Sequence, residues 1–208
     1  MNFKEFKFVY VDVDYLKKLH DEDNEILYAD NANYEKKPHL GILISNNNFE
    51  YVIPLTSAKD KHKQWRDITS TNYRIYETID IRTTRTDSFD IIVEENDFNK
   101  LRKMGVNEND FKYFKKRILS VLEIKKMFPI IKGKYSFVDL DTHSLDAETE
   151  QRRILMQKEY FFCRNYMDAI KDKAKSIYDK QIETGIVQTF HCNYKKLENV
   201  AKMFEKES

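Results

Sequence analysis

The segment from Thr56 to Arg66 holds the residues whose types and spacing are best suited to chemistry. Two adjacent hydroxyls, those of Thr56 and Ser57, open it, and Trp65, the one tryptophan of the chain, lies near its end. The segment contains one acidic residue, Asp60, and four basic residues: Lys59, Lys61, Lys63 and Arg66. Such cations bind a polyphosphate backbone, and an indole ring stacks on an unpaired base. Hydroxyl and ammonium groups also stabilise the charge that develops when a phosphate reacts.

The residues alone leave several interpretations of this segment open. His62 is suited to proton transfer at neutral pH, but a structural or backbone-binding role fits it equally. A run of lysines is commonly a solvated surface, and Trp65 also fits the edge of a core. The segment therefore indicates an enzyme acting on RNA, a noncatalytic RNA-binding regulatory protein, or a surface that docks a protein partner.

Composition excludes several classes of protein. The 36 basic and 35 acidic residues leave a net charge of +1, so binding of nucleic acid requires a local basic patch. Further candidates for such a patch are Lys115, Lys116, Arg117, Lys132, Lys134, Lys171, Lys173 and Lys175. The five histidines and two cysteines show no metal-ligand spacing, so we expect neither a metal nor another cofactor. With no apolar stretch near the ~20 residues that cross a bilayer and no signal-peptide core, we expect a cytoplasmic protein without membrane contact.

Periodicity in the first third of the chain predicts strands and a short helix. Alternating residues predict a first strand over 6–11, followed by a helix that Asp12 or Asp14 caps. Two apolar runs, 40–45 and 49–55, flank three asparagines and predict a hairpin. Because proline cannot donate to a ladder, we expect the second strand to end at Pro54 or to lie at an edge. Thr56–Lys59 would then lie in a loop.

The remaining elements predict an α+β domain. We expect a helix capped by Asp97, one long helix from about Asp146 to Lys180, and a final helix from about Tyr194 to Phe204. Short strands are predicted over 91–93, 121–124, 127–131 and from 135 onwards. Strands mostly ahead of the longest helix indicate a largely antiparallel sheet in a single domain over 1–208.

Four landmarks in order resemble the ToxN/AbiQ/CptN family of endoribonuclease toxins from type III toxin–antitoxin systems. Tyr51–Lys59, followed by His62, is similar to that family's strand ending in Pro-Leu-Thr-Ser-Pro-Lys, with Ala58 in place of the second proline. The other landmarks are Lys37–Leu43, Ile124–Ile130, and Phe137–Asp141 with the helix that contains Gln157, Tyr160 and Phe161. The likeness spans nearly the whole chain, and the region from about 80 to 115 looks like an expansion.

The resemblance implies a fold and an activity. The fold would be a strongly twisted, largely antiparallel sheet partly surrounded by helices, like that of the Kid/MazF toxins. The activity would be metal-independent cleavage of cellular and phage single-stranded RNA to a 2′,3′-cyclic phosphate. A small pseudoknot antitoxin RNA would inhibit the toxin in a closed RNA–protein ring, and the biological role would be phage defence by abortive infection. The resemblance places the catalytic serine at Ser57 with Thr56 beside it, two basic residues at Lys59 and Lys37, and a tyrosine at Tyr34.

Overall fold

Eight antiparallel strands form the sheet in the computed structural model, which describes residues 7–29, 37–43, 49–143 and 146–207. The strand order is β4-β6-β3-β2-β1-β8, with β5 also paired to β6 and β7 also paired to β3. The strands are β1 (Lys7–Val11), β2 (His39–Leu43), β3 (Glu50–Ser57), β4 (Asn72–Asp80), β5 (Asp90–Ile92), β6 (Phe114–Glu123), β7 (Phe128–Ile130) and β8 (Tyr135–Phe137). The predicted antiparallel α+β class is confirmed.

Five α-helices in the described ranges pack against this sheet. They are α1 (Val13–Glu22), α2 (Glu95–Lys103), α3 (Ala147–Asn165), α4 (Met167–Thr184) and α5 (Tyr194–Glu207). The predicted cap of α1 is confirmed, because a carboxylate oxygen of Asp12 accepts a hydrogen bond from the N–H of Tyr15 over 2.8 Å. None of these helices combines the length and the apolar character needed to cross a membrane.

Two groups of buried side chains form the core. The larger joins the apolar faces of β1, β2, β3 and β7 to α1, α4 and α5. The smaller lies within the segment 80–115 and consists of Val93, Leu101 and Phe111, with Phe98 and Phe114 packed against it. This segment therefore folds around apolar contacts of its own beside β4 and β6.

The expected end of a strand at Pro54 is wrong. One side of β3 pairs with β2, and Pro54 lies opposite His39 in that ladder. Along its other side, β3 pairs first with β7 over Glu50–Val52 and then with β6 over Leu55–Ser57. Pro54 lies between these two partner strands, where a missing N–H removes no ladder hydrogen bond. Thr56 and Ser57 consequently end the strand instead of lying in a loop.

Three other expectations need correction. The predicted long helix is two helices, because Tyr166 leaves the helical conformation (φ −112°, ψ 16°) where its ring packs on Tyr73 and Phe162. The break lets α3 pack on β4 while α4 packs on α5. No strand was predicted over Asn72–Asp80, yet β4 lies there. The helix that Asp97 was expected to cap begins at Glu95 with Glu94 as its N-cap, and Asp97 instead accepts from the N–H of Glu94.

Candidate active site

Thr56 and Ser57 face opposite sides of the sheet because they are successive residues of a strand. The hydroxyl of Thr56 lies within hydrogen-bond distance of a carboxylate oxygen of Glu123, 3.2 Å away, and donates toward it. Ser57 lies opposite Ser120 of β6, is exposed, and makes no hydrogen bond through its hydroxyl within the described part of the chain. Ser57 is therefore the hydroxyl available to a ligand, whereas that of Thr56 is engaged.

A buried carboxyl lies beside Ser120, the cross-strand neighbour of Ser57. Glu159 of α3 is 4% exposed, and burial raises its pKa to about 7, an effect that the neighbouring Ser120 hydroxyl partly opposes. Although the two groups are close, the Ser120 hydroxyl makes no hydrogen bond of normal geometry. The buried Glu159 beside Ser120 of β6 is therefore mostly protonated below about pH 7.

A tight 3₁₀ turn, Asp60–Gln64, follows Ser57 and is organised around the ring of His62. The ring is 1% exposed, and its Nδ1 accepts a hydrogen bond from the N–H of Lys59 over 3.1 Å. This bond assigns the ring proton to Nε2. Burial, and then the charge of Lys61, lowers the pKa of His62. The ring is therefore neutral and shapes the turn. This favours a structural role for His62 over a role in proton transfer.

The other residues of this turn are held by local contacts. The His62 and Trp65 rings lie 4.6 Å apart between centroids, and the Lys61 ammonium lies 5.5 Å from the Trp65 ring. Lys63 forms an ion pair with Asp60 over 2.7 Å. Arg66 is exposed. The predicted patch is therefore ordered, with Trp65 and Lys63 half-buried.

Arg74 of β4 fastens the turn to the sheet. Its guanidinium donates to the backbone carbonyls of His62 and Lys63, over 2.9 and 3.0 Å, and its Nε donates to Asp67 over 2.8 Å. The ammonium of Lys116 pairs with Asp67 over 2.7 Å and with Asp97 over 2.8 Å. Two buried cations and two carboxylates thus connect the turn, β4, β6 and α2.

Lys37 lies close enough to Lys59 for the two charges to interact. Burial, and then the positive charge of Lys59, lowers the pKa of Lys37. The carbonyl of Lys37 accepts from Nδ1 of the buried His39, 3.2 Å away, and His39 lies opposite Pro54 in the β2–β3 ladder. The hairpin therefore brings together two lysines that are 22 positions apart. Tyr34 lies outside the described residues.

Comparison with known proteins matches residues 7–202 to the family described as toxin ToxN of type III toxin–antitoxin systems. The chain belongs to the ToxN family. The resemblance inferred from the sequence motifs is therefore confirmed over nearly the whole chain.

Two curated ToxN relatives, each named endoribonuclease ToxN, align along most of their length. The protein from Pectobacterium atrosepticum is 23% identical over 203 residues, which cover 97% of this chain and 95% of that protein. The one from Bacillus thuringiensis subsp. kurstaki is 21% identical over 206 residues, covering 96% and 84%.

Two solved structures share the fold of this chain. One comes from work on selective toxin inhibition by a non-coding RNA pseudoknot; it matches with a TM-score of 0.64 at 17% identity, covering 97% of this chain and 99% of that chain. Another is AbiQ, a lactococcal anti-phage endoribonuclease of a type III system, with a TM-score of 0.65 at 20% identity over 97% and 98%.

Lys116 is not part of a basic surface that could bind nucleic acid, contrary to the prediction from the sequence. Its side chain is 2% exposed and its ammonium is paired with two carboxylates, so a phosphate cannot reach it. The neighbouring Arg117 is ion-paired with Asp90 over 2.7 Å, and Lys115 is half-buried. In this ToxN-family chain the basic run on β6 is therefore mainly structural.

The remaining predicted basic residues lie in the segment 132–134 and on α4. Lys132 is exposed, and Lys134 lies 3.5 Å from Asp12. Gly133 between them lines a separate cleft of about 840 Å³. On α4, Lys173 donates to the carbonyl of Thr69 over 2.7 Å, Lys175 pairs with Asp179, and Lys171 is half-buried.

Sequence reasoning missed the residues that support the site, namely Asp67, Arg74, Asp97, Glu123 and Glu159. No local pattern marks them, because their partners are remote in sequence; Lys116 and Asp67 are 49 positions apart. Within the described ranges, no three His, Cys, Asp or Glu side chains come together as a metal site requires.

Proposed function

We propose that this chain is an endoribonuclease toxin of a type III toxin–antitoxin system that cuts single-stranded RNA without a metal ion. The proposal rests on the arrangement of one hydroxyl and two lysines. Ser57, whose hydroxyl is exposed, ends β3, Lys59 directly precedes the next turn, and Lys37 lies within range of the charge of Lys59. In such a reaction the attacking group is the 2′-hydroxyl of the substrate, so the protein need supply no nucleophile. One hydroxyl and two cations are suited to binding the phosphodiester that this 2′-hydroxyl attacks.

In the proposed reaction the 2′-oxygen of the substrate attacks the adjacent phosphorus. The 2′-hydroxyl gives its proton to solvent as its oxygen forms a bond to phosphorus. The bond to the 5′-oxygen breaks and that oxygen takes up a proton, so that a 2′,3′-cyclic phosphate and a 5′-hydroxyl result. Ser57 hydrogen-bonds the reacting group, and the two ammonium groups stabilise the additional negative charge of the phosphorane. Because Lys37 and Lys59 repel each other without a ligand, a doubly charged phosphorane between them is bound more strongly than the singly charged substrate.

The roles that we propose for Thr56 and His62 differ from those expected from the sequence. The hydroxyl of Thr56 is directed to Glu123 on the other face of the sheet, so Ser57 acts on the phosphate without it. His62 holds the backbone of Lys59 through Nδ1 and acts as a positioning residue. Lys37, whose pKa is lowered, is the better candidate to give a proton to the leaving 5′-oxygen.

The proposed inhibitor is a small pseudoknot RNA, and the proposed role is abortive infection during phage attack. Inhibition of a structural relative by a non-coding RNA pseudoknot supports the first part, and the anti-phage role of AbiQ supports the second. The antitoxin would contact Lys61, Lys63, Trp65 and Arg66 near the site and the separate basic turn at 132–134. Two such contact regions on each toxin suit a closed ring of alternating toxin and RNA.

Expression of the chain alone, followed by mapping of new RNA ends, tests the proposal. We expect cleavage that persists in EDTA and leaves 2′,3′-cyclic phosphates. Ser57→Ala is expected to lower the cleavage rate by about 10²–10³, the usual effect of removing one well-placed donor to a developing oxyanion. Ser136→Ala, which changes another exposed strand serine, is the matched control and should cleave normally.

Intact RNA in the presence of folded wild-type protein contradicts the proposal. If that protein still binds RNA, the alternative of a noncatalytic RNA-binding regulator is favoured. Normal cleavage by Ser57→Ala removes Ser57 from the reaction, and cleavage that EDTA abolishes points to a metal-dependent mechanism.

A further inference from the structure

The turn that follows Ser57 forms one wall of a cleft of about 730 Å³. This wall consists of residues 63–68, including Trp65. The opposite wall is the start of α2, where Glu94 and Asn96 line the cleft. The second wall belongs to the segment 80–115, which has no place in the proposed cleavage chemistry.

The floor of the cleft consists of charged side chains that neutralise one another. Arg74 and Lys116 line it together with Asp67 and Asp97, and these four groups are ion-paired with one another. Because each charge already has an opposite charge beside it, the floor offers no unsatisfied cation to a phosphate. Recognition by this cleft must therefore come from the groups on its two walls.

The walls present the groups that bind a nucleobase. Trp65 offers an indole ring, and aromatic rings stack on unpaired bases. Four exposed polar side chains line the same cleft: Gln64, Arg66, Glu94 and Asn96. An ionised carboxylate can only accept hydrogen bonds, whereas an amide offers both an acceptor and a donor. Glu94 thus matches an exocyclic amino group and opposes a bare carbonyl, whereas the amide of Asn96 can contact either.

We propose that this cleft binds a base of the substrate strand that carries an exocyclic amino group, and that it discriminates against uracil. The proposal rests on the proposed function, because it takes RNA as the ligand. Glu94 accepts from the amino group and Asn96 binds the neighbouring edge of the base, as amides and carboxylates do in base recognition. Arg66 remains available to the adjacent phosphate. The start of α2 thereby sets which base lies beside the bond held at Ser57.

Cytosine and uracil provide a sharp test because they differ at position 4, where one has an amino group and the other a carbonyl. Hexamers of 2′-deoxycytidine and 2′-deoxyuridine lack the 2′-hydroxyl and cannot be cleaved by the proposed reaction. Trp65 is the one tryptophan in the sequence, so quenching of its fluorescence reports binding in this cleft. We expect the cytidine hexamer to bind roughly five- to tenfold more tightly than the uridine hexamer, as for one good base contact.

Two variants separate recognition from general charge effects. Glu94→Gln introduces an amide N–H that can donate to the uracil carbonyl, so the preference should fall to less than about twofold. Glu95→Gln makes the same change in charge one residue later, at an exposed position that does not line the cleft, and should keep the wild-type preference. Thermal unfolding of each variant verifies that it is folded.

The outcomes distinguish this inference from the proposed function. Equal affinity of folded wild-type protein for the two hexamers, or no saturable quenching, overturns the inference even if RNA is cleaved at a site that depends on Ser57. An undiminished preference in Glu94→Gln overturns it as well. A cytidine preference that Glu94→Gln removes supports it, even if the wild-type chain cuts no RNA and the proposed activity fails.

Discussion

The guanidinium of Arg74 donates a hydrogen bond to the backbone carbonyl of His62, 2.9 Å away. This bond joins β4, a strand in the sheet, to the turn that begins directly after Ser57. The same guanidinium also holds the carbonyl of Lys63 and the carboxylate of Asp67. Arg74 thus holds the turn against the sheet, while His62 holds the backbone of Lys59 within it.

Arg74→Lys should keep a positive charge near Asp67 but lose the forked contacts to the two carbonyls, because an ammonium lacks the planar geometry of a guanidinium. We expect cleavage to fall at least about tenfold while the protein stays folded, as for a displaced catalytic group. Arg74→Met also removes the charge and is expected to lower the free energy of unfolding by about 3–5 kcal/mol. Rates of RNA cleavage and urea unfolding measure the two effects. Normal cleavage by folded Arg74→Lys would contradict a role for Arg74 in positioning the turn.

The pKa of Lys37 should respond to the charge of Lys59. Because Lys59 lowers that pKa, Lys59→Met is expected to raise it, leaving burial as the cause that remains. An NMR titration of isotope-labelled lysine side chains measures the shift. Lys61→Met is the control, since it removes a charge from the same turn without removing Lys59. A Lys37 pKa that is identical in wild type and Lys59→Met would show that the two lysines do not form one phosphate site.

Lys116 is expected to matter for stability and not for contact with RNA. Lys116→Met leaves Asp97 without its buried partner, and breaking a buried pair in this way costs about 3–5 kcal/mol. Lys132→Met changes an exposed lysine in the turn at 132–134 and should leave the free energy of unfolding nearly unchanged. Urea unfolding of both variants measures the difference. Similar midpoints would show that the Lys116 network contributes little.

Glu159 should make stability decrease as pH rises. Its folded pKa of about 7 lies above the ordinary value, so the folded state holds a proton that the unfolded chain releases at lower pH. The stability that this proton contributes is fully present below about pH 4.5 and is lost as pH rises through 7. Relative to wild type, Glu159→Gln should therefore gain about 3 kcal/mol between these limits. Urea unfolding over this range measures the gain, and Glu148→Gln, on an exposed part of α3, should show none.

The local pattern of the sequence was sufficient for much of the fold. Alternation predicted β1, two apolar runs predicted β2 and most of β3, and an acid before an apolar helix face predicted the Asp12 cap, because such signals depend on neighbouring residues. The continuation of β3 through Pro54 could not be predicted in this way. It depends on which strands lie beside Pro54, and β7 and β6 come more than 60 residues later in the chain.

In the candidate site, too, some features follow from the local sequence and others depend on tertiary contacts. By itself the sequence determined the family and the segment that carries Ser57, Lys59 and Trp65, since motif order and residue type are local properties. Only the tertiary structure decided that Thr56 and Ser57 face apart, that Lys116 is buried, and that α2 supplies the second wall of the cleft beside Trp65. Burial, ion pairing and strand partners arise from contacts between distant segments, which form only when the chain has folded.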